Sequence, residues 1–323
     1  MTRFGRSVTL AAALTLAALG AGPILSAQEH GGTADVARDQ VAPSSQQEAS
    51  GNQIDIIHHI GNSQEIETPF GVVHLPRWEP IHIGGLTLDL SPTKHLVFML
   101  IAAAIVALTF LLSARAVARA QAQGRPPKGF AGAMEALALY IRQEVVLPNV
   151  GPHGEGYAPY LLTLFFFVLV MNILGLLPWG ATATGNIAVT AALALMAFIT
   201  IEVAGMRTLG LKGYLNTIFY LPPGLPGPLK PIMLVIMTPV EIIGKLSKPF
   251  ALAVRLFANM TAGHVLVLAL IGLTFLFQSY LVGAAASVLA TGIMLLELFV
   301  AFLQAFVFTL LTSVFIGLMR AEH

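Results

Sequence analysis

The sequence predicts an all-α polytopic membrane protein, with about five membrane helices after a signal segment, a long tilted helical hairpin at the C-terminal end, and a small exported N-terminal region carrying a β-hairpin. Three observations predict it. Of 323 residues, 56% are hydrophobic and only 10% charged, where soluble domains carry about 25% charge, and the mean hydropathy is +0.79. Apolar runs of spanning length recur, and Lys/Arg clusters follow alternate runs. From Pro249 to Met319 the only charge-bearing side chains are Arg255, His264 and Glu297. With a net charge of +1 and few Lys and Arg residues, no nucleic-acid partner is expected. Cysteine is absent, so disulfides and thiolate metal or redox chemistry are excluded.

Residues 1–27 place Arg3 and Arg6 before an apolar run, Val8 to Leu19, and small residues at Ser26 and Ala27. That order is a secretory signal pattern; left uncleaved, it would be a further membrane anchor. Residues 28–53 are rich in Gln, Ser, Ala and Gly and lack the large apolar residues for a core, so a flexible exported tether is expected. Residues 54–94 turn to short alternating runs, GVVHL and IHIGGLTLDL, between prolines, which reads as a small β-hairpin outside the membrane. His58, His59, His74 and His82 lie here, but their spacing matches no metal-ligand motif.

The membrane domain is expected over residues 95–323. Its first span, LVFMLIAAAIVALTFLLSA, is followed by Arg115, Arg119, Arg125 and Lys128, charges that belong on the cytoplasmic side. The segment KGFAGAMEALALYIRQEVVLP sets Met134, Leu137, Leu139 and Ile141 among Glu135, Arg142 and Glu144, an amphipathic interfacial helix rather than a span. YAPYLLTLFFFVLVMNILGLLP then runs outward, WGATATGN turns, and IAVTAALALMAFITIEVAG returns to Arg207 and Lys212. Asn172 and Asn186 could wet a path near the outer side, and helix-to-helix hydrogen bonding explains them equally well. Glu202 is a further polar group near these spans. After the break LPPGLPGPLKP, Glu241, Lys245 and Lys248 suit a cytoplasmic interface, with Pro239 and Pro249 as kinks or boundaries.

The stretch from Pro249 to Met319 is too long for one span, and Gln278 to Gly283 is its best turn. With the apex near Leu281, His264 lies 17 residues before it and Glu297 lies 16 after it, each about 25 Å away at ~1.5 Å per residue. They should face one another. Arg255 falls opposite Gln304 to Val307 by the same count, with Asn259 one turn along its own face. Each arm, roughly 30 residues or 45 Å, exceeds a hydrocarbon core of about 30 Å and must tilt. A guanidinium at that depth costs about 2.5–3.5 kcal/mol and cannot deprotonate. Histidine and carboxylate are proton-transfer groups, so the set reads as a proton path with a fixed positive barrier. One carboxylate cannot serve both His264 and Arg255, which implies a partner carboxylate on another chain.

LSKPFALAVRLFANMTAGH and ELFVAFLQAFVFTLLTSVFIGLM closely resemble subunit a of the F-type ATP synthases, and the resemblance runs from about His95 to the C-terminus. It implies a non-catalytic stator and proton-channel subunit of the bacterial inner membrane, without a cofactor, packed against a ring of c subunits that each carry a membrane carboxylate. The b-subunit peripheral stalk and the rest of the synthase are the other partners it implies. By the resemblance Arg255 is the essential arginine, and Asn259 and Gln304 are polar positions near it. His264 and Glu297 match a pair in the half-channel open to the outside; Glu241, Ser247 and Lys248 match positions on the cytoplasmic side. The pair is exchanged relative to the best-known bacterial pattern, Gly175 stands where some members carry an acid, and the exported segment is longer than in many.

An ion-coupled secondary transporter is the alternative, but no repeated half with matching broken helices is visible. A membrane hydrolase lacks its motifs within the spans: no Ser/His/Asp set, no HExxH and no paired aspartates. The N-terminal reading has a direct check. Mass spectrometry of the purified chain should find a mature N-terminus near Gln28, and an intact Met1 would show an uncleaved anchor instead.

Overall fold

The computed structural model describes residues 65–68, 71–76, 81–83, 86–88, 91–177, 182–219, 226 and 230–321. The expected signal segment, the tether, His58, His59 and most of the LPPGLPGPLKP break lie outside the described residues. Among the described residues, five helices are long and apolar enough to cross a membrane, which agrees with the expected fold class.

The N-terminal region forms two antiparallel hairpins where one was expected. Strand β1 (Glu65–Thr68) pairs with β2 (Gly71–His74), and β3 (Ile81–Ile83) pairs with β4 (Leu86–Leu88). Pro76 and Pro80 lie between the two pairs, where residues that cannot donate to a ladder end one sheet before the next begins.

Helix α1 (Lys94–Ala122) follows, then α2 (Gly129–Tyr140), which continues through a π-helical turn, Ile141–Val146, into a last turn, Leu147–Val150. Met134, Leu137, Ala138 and Ile141 of α2 and its extension pack on the core, with Val145, Val146 and Val150 buried beyond them. Leu139 is exposed, because it falls off the i, i+3/i+4 stripe that the other positions share. Arg320, near the other end of the chain, holds this segment: its guanidinium donates to the carbonyls of Val150 at 2.8 Å and Pro152 at 2.7 Å.

Helix α3 (Ala158–Gly175) is the most deeply buried of the membrane-length helices among the described residues. Leu161, Phe165, Val168, Met171 and Asn172 are fully buried. Phe165 and Phe166 meet edge to face at 5.0 Å, and the same geometry joins Phe166 to Phe110 of α1. Offset quadrupoles favour this arrangement and add about 0.5–1.5 kcal/mol per pair beyond area burial. Helix α4 (Ile187–Ile218) starts at Asn186, whose side chain caps it by accepting from the Ala188 N–H at 2.9 Å. It bends at Gly210, where φ is 68°, a left-handed value that glycine adopts without a Cβ penalty. The last two turns of α4 thereby fold back, bringing Tyr214 to Glu202 and Gly205.

Helices α5 (Lys230–Phe277) and α6 (Tyr280–Ala321) pack along one another. Their arms are longer than the sequence suggested, because α5 passes through Pro239 and Pro249 without ending. A proline removes one i→i−4 bond, and the turns on both sides carry the helix across. At 48 residues and ~1.5 Å each, α5 is about 70 Å long, more than twice a ~30 Å hydrocarbon core. The reversal takes only Gln278 and Ser279, with Gln278 at φ 46°, so Leu281, the expected apex, already lies in the first turn of α6. More than half of the apolar window of α3 is buried, against almost none of that of α5, so α5 presents its apolar residues outward.

Candidate functional site

Three groups of polar side chains sit along α5, in the order of the chain. The middle group is Arg255. On α5, Leu252, Ala253, Leu256 and Met260 turn inward and are buried, while Arg255 and Asn259 lie on a neighbouring, exposed stripe. The Arg255 guanidinium makes no ion pair or hydrogen bond with a described residue. Gln304 of α6 is buried at 3% exposure and donates from Nε2 to the backbone carbonyl of Arg255 at 3.0 Å. Position therefore agrees with the expected Arg/Gln level, but Gln304 holds the main chain rather than the guanidinium. The charge is left pointing out, across a surface that also exposes Phe250, Val254, Phe299 and Leu303.

About two turns farther along, the Glu297 carboxylate of α6 lies directly over Gly263 of α5, in the space that a Cβ at residue 263 would fill. Gly263 precedes the half-buried His264, so the Glu297 carboxylate comes to the level of His264. Glu297 Oε1 is shut off from solvent and has no hydrogen-bond partner among the described residues. The sequence reading missed Gly263 as the seat of this carboxylate. An absent side chain becomes a signal only once the facing residue is known.

The third group lies toward the end of the bundle that holds the C-terminus of α6. A cavity of about 110 Å³ is lined by Glu202 of α4, Glu241, Lys245 and Lys248 of α5, Thr312 of α6 and apolar neighbours. Lys245 is buried, 3.8 Å from Glu202 Oε2; its Nζ donates to Thr217 Oγ1 at 3.1 Å and lies 4.6 Å from the Tyr214 ring centre. The Tyr214 hydroxyl donates to Glu202 Oε2. Lys248 sits 4.7 Å over the Phe315 ring. Ser247 does not line the cavity; it is exposed and bonds back to the Gly244 carbonyl at 2.9 Å. The sequence flagged Glu202 and Lys245 separately, but not as a pair.

Asn172 and Asn186 have structural partners. Asn172 donates to the Ala301 carbonyl at 3.3 Å and accepts from Thr184 Oγ1 at 2.9 Å, joining α3 to α6; Asn186 is the α4 cap. Gly175 has a steric reason to lack a side chain, since a Cβ there would come within 2.8 Å of Thr182 Cγ2. No group of three His, Cys, Asp or Glu residues able to hold a metal gathers among the described residues.

Comparison with known proteins adds the family. The ATP synthase A chain family model matches residues 96–317. ATP synthase subunit a of Chloroherpeton thalassium is 45% identical over 272 residues, covering 84% of this chain and 78% of the relative. ATP synthase subunit a 2 of Prosthecochloris aestuarii is 48% identical over 270 residues, covering 83% and 79%. ATP synthase subunit a of Myxococcus xanthus is 47% identical over 232 residues, covering 72% and 73%. With the family model spanning the whole five-helix bundle and these relatives aligned over most of their own lengths, the chain belongs to the ATP synthase A chain family, that of subunit a.

Proposed function

We propose that this chain is the proton-conducting stator of a bacterial F-type ATP synthase, set in the inner membrane with its N-terminal region exported and its C-terminus cytoplasmic. The observation that carries the proposal is the Arg255 guanidinium, displayed on the outward stripe of α5 with no ionic partner among the described residues. Facing lipid alone it would cost about 2.5–3.5 kcal/mol. A membrane carboxylate on each c subunit of an adjoining ring supplies the counter-charge. The b-subunit peripheral stalk holds the chain against rotation.

The groups on α5 divide the proton's route into two half-channels. Lys248 is seven residues before Arg255 and His264 nine after it, about 10 Å and 13 Å along the helix. His264 and Glu297 load or unload ring carboxylates from the exported side; the cavity with Glu241 and Lys248 serves the cytoplasmic side. Ser247, about two turns before the arginine, is exposed next to Lys248 on that side. Between them Arg255 favours the ionised form of the passing carboxylate by opposite charge, so the proton leaves before the carboxylate crosses and cannot leak straight through. Asn259 extends the polar stripe, and Gln304 fixes the backbone from which Arg255 projects. Asn172 and Asn186 border the outer route. ATP chemistry belongs to other subunits.

Arg255→Ala should abolish both ATP synthesis and ATP-driven acidification of inverted vesicles while the complex still assembles. Substantial coupled pumping in that variant would remove the assigned barrier. Lysine should be a poor substitute, since it lacks the planar fork and its charge can be lost on burial.

Gly263→Ala should push the Glu297 carboxylate from its seat and lower the pumping rate by about tenfold or more, as misplaced reacting groups do. Gly272→Ala on the same helix, where a new Cβ meets nothing within 4 Å, is the control and should pump normally. Equal rates for the two would show that the seat does not matter.

The shared level of His264 and Glu297 gives a third expectation. Each single exchange, His264→Glu or Glu297→His, should impair pumping by placing two like groups together. The double exchange should recover part of the loss, measured at matched amounts of assembled complex. A double variant no better than the worse single would show that the two are not a relay pair.

A further inference from the structure

The cavity between α4, α5 and α6 holds two carboxylates of unlike surroundings. Glu202 is tied on two sides, accepting from the Tyr214 hydroxyl and paired with Lys245 at 3.8 Å. Lys245 is committed to that side as well, through Thr217 Oγ1 and the Tyr214 ring. Glu241 lines the same cavity, is half-buried, and makes no ion pair or hydrogen bond with a described residue. Yet it stands four residues before Lys245 on one helix, the spacing at which Glu and Lys pair well. Lys245 therefore has two anions within its reach and is engaged with one. The bend at Gly210 decides which, because it carries Tyr214 and Thr217 back onto α5. The other charged group facing the cavity, Lys248, lies over Phe315, and the Thr312 hydroxyl already donates to the Phe308 carbonyl at 2.7 Å.

We infer that Lys245 is a positioning residue for proton exchange: by neutralising Glu202 it leaves Glu241 as the carboxylate that takes a proton from the ring side and hands it to cavity water. The inference rests on the stator function proposed above. Glu202 is then a fixed counter-charge that never carries the proton. Removing either member of the pair does harm for a different reason. Without Glu202, Lys245 turns to Glu241 and locks it; without Lys245, a buried anion is stranded beside the route. Removing both strands nothing, as with other buried pairs deleted whole.

The test is ATP-driven acidification of inverted vesicles, normalised to assembled complex, for Glu202→Gln, Lys245→Met, the two together, Lys245→Arg and Glu241→Gln. Each of the first two should lower the rate by about threefold or more, and the double should return to within about twofold of the parent. Lys245→Arg, which keeps the charge and the reach, should retain most of the rate. Glu241→Gln should be low both alone and added to the double. A double variant as slow as the slower single overturns the inference and makes Glu202 a carrier, and so does a Glu241→Gln variant that pumps normally. Arg255→Ala in the same series keeps the two questions apart. If it pumps, the stator function fails; if it is silent while the double stays slow, only the role of Lys245 fails.

Discussion

A guanidinium cannot shed its proton, and at the depth of hydrocarbon it costs about 2.5–3.5 kcal/mol unless a counter-charge is at hand. The arrangement around Arg255 supplies everything except that counter-charge. Buried residues on the inward stripe of α5, Leu252, Leu256 and Met260, fix the rotation of the helix. Gln304 ties the Arg255 carbonyl to α6, so the helix can neither slide nor turn to bury the charge. The fold thus holds the cation outward at a set height, with no ionic partner among the described residues.

The same antiparallel register sets the second level. Gln304 meets residue 255 and Glu297 meets residue 263, so the two contacts are a single alignment of α5 on α6 read at two heights. Any slip that relieved one would break the other. The two-residue reversal at Gln278 and Ser279 leaves no slack for such a slip. Polar groups at different heights are thus held on just two helices, with their spacing fixed by helical rise.

Much of this was legible in the sequence. The five spans follow from apolar run length and alternating basic clusters, while counting out of a polar turn brings Glu297 to the residues around 264, where the one it sits over is Gly263. What the sequence hid shares one physical character: it depends on what a residue meets rather than on what it is. Pro249 reads as a boundary, yet one lost hydrogen bond does not end a helix supported on both sides. Leu139 reads as part of an apolar face but falls off the stripe that α2 buries. Gly263 and Gly175 are informative only against Glu297 and Thr182. Glu202 and Lys245 stand 43 positions apart in the chain, and nothing in either segment says that a bend at Gly210 will bring them together.

Within a bilayer, where water is scarce, polar groups that belong to the scaffold must find partners inside it. Those of this bundle divide accordingly. Asn172 is matched by Thr184 and the Ala301 carbonyl, Arg320 by two carbonyls, and Glu202 by Tyr214 and Lys245. Arg255 and Glu241 have no such match among the described residues, and one oxygen of Glu297 has none either. The matched groups explain how the helices hold together, and none of them needs anything from outside. Besides the buried hydroxyls of Thr238, Thr261 and Thr309, which also lack a partner among the described residues, a cation and two carboxylates stand unmatched along this helix pair at three heights. Under the stator function proposed above, that is the distribution expected if the missing partners are a passing carboxylate and the proton itself, because a permanent internal partner at any of the three would compete with the exchange.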